Sequence, residues 1–248
     1  MKQRHPSPSL FLQFVLWVVL ASLLAGCASS AQQSKRASSP SPSANTRVEP
    51  TGEAETVDRP TSTPYTGSLS IFEDPKRDEK LQVQRVMDVL AIKEGSSVAD
   101  VGAGSGWFSV RAAQRVGGSG TVYAVEINPD YVKHIESRAS KEGLANIRAV
   151  LGREDDPLLP TQSLDAVLLL KTYHEVAQPI RLLKAIRKAM REDARLGIID
   201  RNGKGDDHGL DRETVIKEVE RAGFSLIEDY DFVKSDGMDY FLVFRPKS

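Results

Sequence analysis

The sequence predicts an α/β fold, a mostly parallel β-sheet with helices on both faces and a C-terminal antiparallel hairpin. Three observations predict it. Short aliphatic runs alternate with segments of helical periodicity from residue 79 onward, the pattern of parallel strands covered on both sides. The first of these runs leads straight into a glycine-rich turn that opens a helix. The last two runs follow the final helical segment with only a short turn expected between them, which makes them an antiparallel pair.

Taken in order, a helical segment from Glu79 to Ile92 precedes the first strand, Ser97 to Val101. Then come a helix from Gly106 to Arg115, a strand from Thr121 to Ile127, a helix from Pro129 to Glu142 and a strand from Asn146 to Leu151. The fourth strand, Leu164 to Leu170, is followed by a helix from Val176 to Met190 whose apolar face repeats as Ile180, Leu183, Ile186 and Met190, the three-and-four spacing of a helix lying on a sheet. A fifth strand, Arg195 to Asp200, a helix from Asp211 to Ala222, and strands Phe224 to Asp231 and Tyr240 to Arg245 complete the series.

Composition narrows the function classes. The 248 residues carry 33 Lys and Arg against 34 Asp and Glu, and 40% are hydrophobic, values that describe a globular chain and exclude collagenous, coiled-coil or wholly disordered classes. With a net charge of −1 and 6% aromatic residues, there is no basic field for nucleic acid, and no nucleic-acid partner is expected. A single cysteine forms no internal disulfide and builds no Cys-based zinc or iron–sulfur site. His, Asp and Glu remain as metal ligands, and no metal site is assigned.

The N-terminal quarter reads differently. Lys2 and Arg4 precede a sixteen-residue stretch, Leu10 to Ala25, broken only by Gln13 and Ser22. That is an export signal and shorter than the roughly 20 apolar residues of a spanning helix. It ends in Leu24-Ala25-Gly26-Cys27, which resembles the lipobox of bacterial lipoproteins. The resemblance implies cleavage of residues 1–26 and lipidation of Cys27, hence a membrane partner through a lipid anchor and a location in the cell envelope. Ala28 after the cysteine implies the outer membrane, facing the periplasm, in a Gram-negative cell. From Ala28 to Gly67 the chain holds 8 Ser, 6 Thr and 5 Pro, with Val48, Val57 and Tyr65 as its only larger apolar side chains. Too little apolar surface is present to fold, so residues 27–67 are expected to be the lipidated cysteine and a disordered tether, and 68–248 the folded domain.

The chemistry lies at the strand ends. Asp100-Val101-Gly102-Ala103-Gly104-Ser105-Gly106 leads into Trp107 and Phe108. Glycines there let the backbone turn tightly and approach a ligand. Trp107 occupies the place where a dinucleotide fingerprint keeps its third glycine, which disfavours a pyrophosphate and therefore a nicotinamide dehydrogenase. Glu126, twenty residues after Gly106, sits where an acid accepts both hydroxyls of a ribose. Asp165, at the opposite end of the fourth strand, is assigned to structure.

These two segments resemble the first and second motifs of class I S-adenosylmethionine-dependent methyltransferases. The resemblance implies a Rossmann-like sheet of seven strands with the last one antiparallel, and S-adenosyl-L-methionine as cofactor. Gly102, Gly104 and Gly106 would line its methionine part, Asp100 would support the turn, Glu126 would hold the ribose and Ile127 would flank the adenine. Gly152-Arg153-Glu154 resembles the segment that contacts the adenine amino group; the family usually shows Gly-Asp there, and with Arg153 in that place the contact would fall to Glu154 or Asp155. Residues Ile71 to Glu79 also resemble a segment that crosses the cofactor mouth in some small bacterial methyltransferases; Asp74 and Pro75 would equally start a helix.

Methyl transfer to a hydroxyl or amine needs two partners held in line and a proton removed. His174, in Lys171-Thr172-Tyr173-His174-Glu175 after the fourth strand, is the expected general base, because imidazole exchanges protons near neutral pH; Tyr173 is expected as a pocket wall or donor. Missing motifs set aside the nucleic-acid amino-methyltransferases, Lys171 the metal-dependent catechol type, and the single cysteine the arsenite type. A small-molecule methyl acceptor is expected. The competing class is a non-catalytic envelope lipoprotein that keeps the fold as a ligand-binding or interaction domain, and labelled-cofactor binding discriminates the two.

Overall fold

The computed structural model describes Val57 and residues 59–247. The signal 1–26, Cys27 and the tether up to residue 56 lie outside the described residues. The strands are β1 (Ser97–Val101), β2 (Thr121–Glu126), β3 (Ile147–Leu151), β4 (Leu164–Leu170), β5 (Met190–Asp200), β6 (Phe224–Tyr230) and β7 (Tyr240–Pro246). They form one sheet in the order β3-β2-β1-β4-β5-β7-β6. The first five are parallel, and β7 inserts antiparallel between β5 and β6. Among the described residues six α-helices accompany them: α1 (Arg77–Leu81), α2 (Val83–Val89), α3 (Trp107–Val116), α4 (Pro129–Glu142), α5 (Pro179–Ala189) and α6 (Arg212–Arg221).

The central strands are apolar along their length because both faces are covered. On one face Val167, Leu169, Leu196 and Ile198 pack with Leu183 and Ile186 of α5 and Val215 and Val219 of α6. On the other, Val98, Leu168 and Ile199 pack with Met87 of α2, Phe108 and Val116 of α3, and Phe241 and Val243. Chain order reverses between the neighbours β1 and β4, and a crevice opens at the carboxyl ends of strands at such a point.

Four differences from the sequence reading have local causes. The expected helix 79–92 is two helices, broken at Gln82, whose φ of 52° is left-handed; its side-chain amide donates to the Phe232 carbonyl, so α1 packs on the 3₁₀ helix Phe232–Asp236 while α2 turns onto the sheet. The expected start of α5 at Val176 moves to Pro179, because proline is favoured at a first helical position and disfavours helix in the residue before it. The short turn expected between the last two strands is instead a connection containing that 3₁₀ helix.

The fourth concerns the expected disordered tether, which reaches too far at residue 67. Arg59 donates from Nε and Nη2 to the Glu218 carboxylate at 2.8 and 3.3 Å. The Ser62 amide donates to the His174 carbonyl, and its hydroxyl to the Gly205 carbonyl at 2.8 Å. Tyr131 donates to the Gly67 carbonyl at 2.9 Å. This stretch is ordered by polar bonds to the domain and not by apolar burial of its own, which composition cannot register.

Candidate active site

At the end of β1 the chain turns through Gly102, Gly104 and Gly106, all with left-handed φ (76°, 57° and 73°). Gly102 is doubly constrained, since a Cβ on it would lie 2.3 Å from a Thr172 methyl carbon. The turn is stitched to β2: the amides of Gly102 and Ala103 both donate to the Val125 carbonyl at 3.0 Å. Glu126 closes the arrangement, accepting from the Gly104 amide at 2.6 Å and the Ile127 amide at 3.0 Å. Burial pushes its carboxyl up, partly offset by these amides. Asp100 is fully buried and accepts from the Ser109 hydroxyl at 2.6 Å, tying β1 to the first turn of α3. Desolvation raises it to about 6 despite that bond.

Trp107 is buried with Arg77 over one approach, 4.5 Å from the ring centre, and Arg111 over another at 4.1 Å. Arg77 also pairs with Asp236 at 3.5 Å. Phe72 and Arg77 both line the cleft, so the segment 71–79 borders its mouth. Asp74 accepts from the Lys76 amide at 2.8 Å but does not cap α1, whose N-cap is Lys76. Asp165 accepts from the Ser97 amide at 2.7 Å at the far end of the sheet.

After β4, a 3₁₀ turn spans Tyr173–Glu175. His174 is buried rather than exposed at a helix start. Its Nδ1 lies 2.9 and 2.8 Å from the two oxygens of Asp200, itself fully buried at the end of β5. The His174 and Arg201 amides also donate to that carboxylate. Asp200 already accepts two amides and is acceptor-only when ionised, so Nδ1 carries the proton and Nε2 bears the free lone pair. Glu175 beside it is pushed up to about 7, chiefly by burial.

One cleft of about 1130 Å³ takes in Asp100, Gly102, Gly104, Glu126, Ile127 and Glu154 together with His174, Glu175 and His208, whereas Gly106, expected with the other two glycines, lies off the cleft and faces Ile135 of α4. Asp155, the other acid after β3, pairs with Arg181. Tyr173 corrects the expectation placed on it. Its ring is fully buried and its hydroxyl donates to Glu218 at 2.8 Å, with Arg59 over the ring; it does not line the cleft. In a tight turn neighbouring side chains point apart, and His174 took the cleft side.

Sequence reasoning noted Asp200 only as a strand-end residue and missed its partnership with His174. It also missed His208 and the segment 61–66, which walls the cleft. For His208 a signal existed: Gly203, Gly205 and Gly209 bracket it in a loop leaving the carboxyl end of β5, the end where sites form.

A sequence profile of the family described as "Methyltransferase domain" matches residues 92–224, more than half of the chain. Over 115 residues the chain is 29% identical to "Nocamycin O-methyltransferase" of Saccharothrix syringae, covering 46% of this chain and 41% of that protein. Over 95 residues it is 27% identical to "Protein-L-isoaspartate O-methyltransferase" of Pyrococcus horikoshii, covering 38% and 42%. The chain thus spans about two-fifths of the length of these curated relatives. A solved "SAM dependent methyltransferase from Aquifex aeolicus" superposes with a TM-score of 0.65 at 24% identity, over 71% of this chain and 95% of that one, a likeness of fold.

The residues present fit S-adenosyl-L-methionine: a turn whose Gly102 and Gly104 bring backbone without side chains to the cleft, an acid at the end of the neighbouring strand, and a cleft larger than the roughly 300–1,000 Å³ of an ordinary small-ligand site. By profile, sheet order and cleft, this chain belongs to the methyltransferase-domain family.

Proposed function

We propose that the chain transfers a methyl group from S-adenosyl-L-methionine to a small-molecule acceptor held at the carboxyl ends of β4 and β5. The observation that carries this reading is the shared cleft, lined by the glycine turn and Glu126 and also by His174, behind which the buried Asp200 sits on Nδ1. The bound cofactor supplies a sulfonium methyl group open to in-line attack. Gly102 and Gly104 receive its methionine part, Gly106 turns the chain into α3 behind them, Asp100 braces the turn, Glu126 accepts hydrogen bonds from the ribose hydroxyls, and Ile127 and Glu154 take the adenine. At the acceptor, Nε2 of His174 takes the proton from an oxygen or nitrogen nucleophile. Asp200 holds the imidazole in the tautomer that allows this and offsets the charge the ring then gains. The wall formed by residues 61–66 supports a small acceptor, because a segment pinned at Ser62 narrows the approach a protein side chain would need.

The export segment 1–26 and the lipobox cysteine support an envelope location, with Cys27 as the lipid-anchored residue. In a Gram-negative cell the anchor would lie in the outer membrane, facing the periplasm.

Equilibrium binding of methyl-labelled S-adenosyl-L-methionine to the full chain, followed by label transfer into an extract of envelope small molecules, tests the proposal. Saturable one-to-one binding and label in a small product are expected. Binding without transfer to any acceptor would support the ligand-binding lipoprotein instead, and absence of binding would overturn the cofactor site.

A further inference from the structure

We infer that His174, Glu175 and His208 form a binding site for one divalent ion of the zinc class. One ligand atom from each lies within 4.8 Å of the others, and two of the chain's four histidines meet here. The residues come from two loops at the carboxyl end of the sheet, after β4 and after β5.

The contact between His174 and Glu175 is the point of departure. Nε2 stands 3.9 Å from Oε1 of Glu175, beyond hydrogen-bond range. With the ring proton on Nδ1, a nitrogen lone pair therefore faces a Glu175 oxygen across a gap too long for a hydrogen bond. A cation between the two satisfies both. Zinc–nitrogen and zinc–oxygen bonds of about 2.0–2.2 Å in a tetrahedral arrangement place neighbouring ligand atoms roughly 3.4 Å apart, so this pair needs only a few tenths of an ångström of closure. Asp200 behind Nδ1, at 2.8 Å, is the carboxylate that orients a metal-ligating imidazole and raises its basicity.

His208 completes the set. Its ring meets that of His174 edge-on, with centres 5.8 Å apart, and its backbone amide donates to the Ser62 hydroxyl at 3.0 Å. Its side chain is exposed and free to draw in. Asp200 and Glu175 bring two carboxylates to this corner, while the nearby Arg201 guanidinium is spent on the carbonyls of Asp207 and His208. Two imidazoles and one carboxylate select zinc-like ions over magnesium or calcium, which prefer all-oxygen shells. Three protein ligands leave a position open, on the side of the cleft that all three residues line.

The ion's consequence rests on the reading of the acceptor end given above, but its binding does not. An ion occupies the lone pair with which His174 would take a proton, so ion loading and proton acceptance exclude each other.

The test is competition for Zn²⁺ between a chromophoric chelator and the full chain, purified without a histidine tag and with no cofactor present. One equivalent bound is expected. His208→Ala and Glu175→Gln should each weaken binding about 10- to 100-fold or more, at least the loss seen for second-shell changes. His134→Ala, on the exposed face of α4, should not change it, nor should millimolar Mg²⁺ displace the ion. Co²⁺ in place of Zn²⁺ should give a visible absorption band that His208→Ala abolishes. Failure to bind one equivalent, or binding that survives both His208→Ala and Glu175→Gln, would overturn the site. Labelled-cofactor binding, measured separately, would stand or fall on its own.

Discussion

Replacing Glu126 by Gln isolates the charge at the ribose position while keeping its shape. The carboxylate accepts two backbone amides, Gly104 at 2.6 Å and Ile127 at 3.0 Å, and lines the cleft at the end of β2. Its remaining lone pairs are the ones a ribose diol would use. A hydrogen bond to a charged acceptor is worth about 1.5–3 kcal/mol against about 0.5–1.5 for a neutral one. Two ribose bonds therefore lose about 2–3 kcal/mol, roughly a 30- to 150-fold rise in Kd. The amide nitrogen of Gln also faces one of the two backbone donors, but that conflict is present with and without cofactor and appears in stability more than in affinity. Calorimetric titration with S-adenosyl-L-methionine measures the difference, with a denaturant melt confirming the fold. The pH dependence supplies a second readout. Burial raises the Glu126 carboxyl, so cofactor affinity of the unaltered chain should fall on acidification through a window above the ordinary glutamate range, as the acceptor protonates. Glu126→Gln should lack that component. A Kd within threefold of the unaltered chain would refute the ribose contact.

Four further outcomes are expected. His174→Asn should cut methyl turnover by about 10²–10⁴-fold with cofactor affinity nearly unchanged; turnover near that of the unaltered chain would leave positioning alone as the source of rate. Asp100→Asn should stabilise the fold at pH 7.5. The acid's folded value of about 6 exceeds its unfolded one, so stability falls as pH rises from about 4 to 6 and the ionised group then costs up to about 3 kcal/mol. Urea melts should show a gain of about 1–3 kcal/mol at pH 7.5 that vanishes near pH 4, and equal effects at both would contradict the desolvation argument. Arg59→Ala should destabilise by about 3–5 kcal/mol, because it strands the buried Glu218 carboxylate, and Arg59→Ala with Glu218→Gln should recover part of that; protease cleavage between 59 and 67 should accelerate in the single variant. Cys27→Ala should abolish labelling by a fatty-acid probe, and a labelled, processed variant would remove the lipoprotein reading.

The Asp100 and Glu126 arguments share a physical theme. Two carboxylates with raised values stand at the ends of neighbouring strands, each held by turn or helix-start groups. Both cost folding free energy at neutral pH, and both border the cleft where the cofactor's polar groups would bind. Stability given up at a site that requires charge is a recurrent trade.

The sequence by itself determined the layered sheet, the strand limits of β1 and β4 to the residue, and the acid and glycines of the first two motifs. Those features are local: the Gly102–Gly106 turn joins a strand to a helix without interruption, and Glu126 ends the next strand, so contiguous spacing carries their geometry. Only the tertiary structure decided which groups act together at the other end of the cleft. His174 and Asp200 are 26 positions apart and meet because β4 and β5 are hydrogen-bonded neighbours, while His208 joins them from a loop whose path depends on the bond to Ser62. Tyr173 and His174 are adjacent in sequence and were separated by a turn of backbone that sends one ring into the core and leaves the other on the cleft. Residues 59–67 have the composition of a tether, and they are ordered because buried partners on the folded domain, Glu218 above all, supply the polar bonds that their own side chains cannot supply to one another.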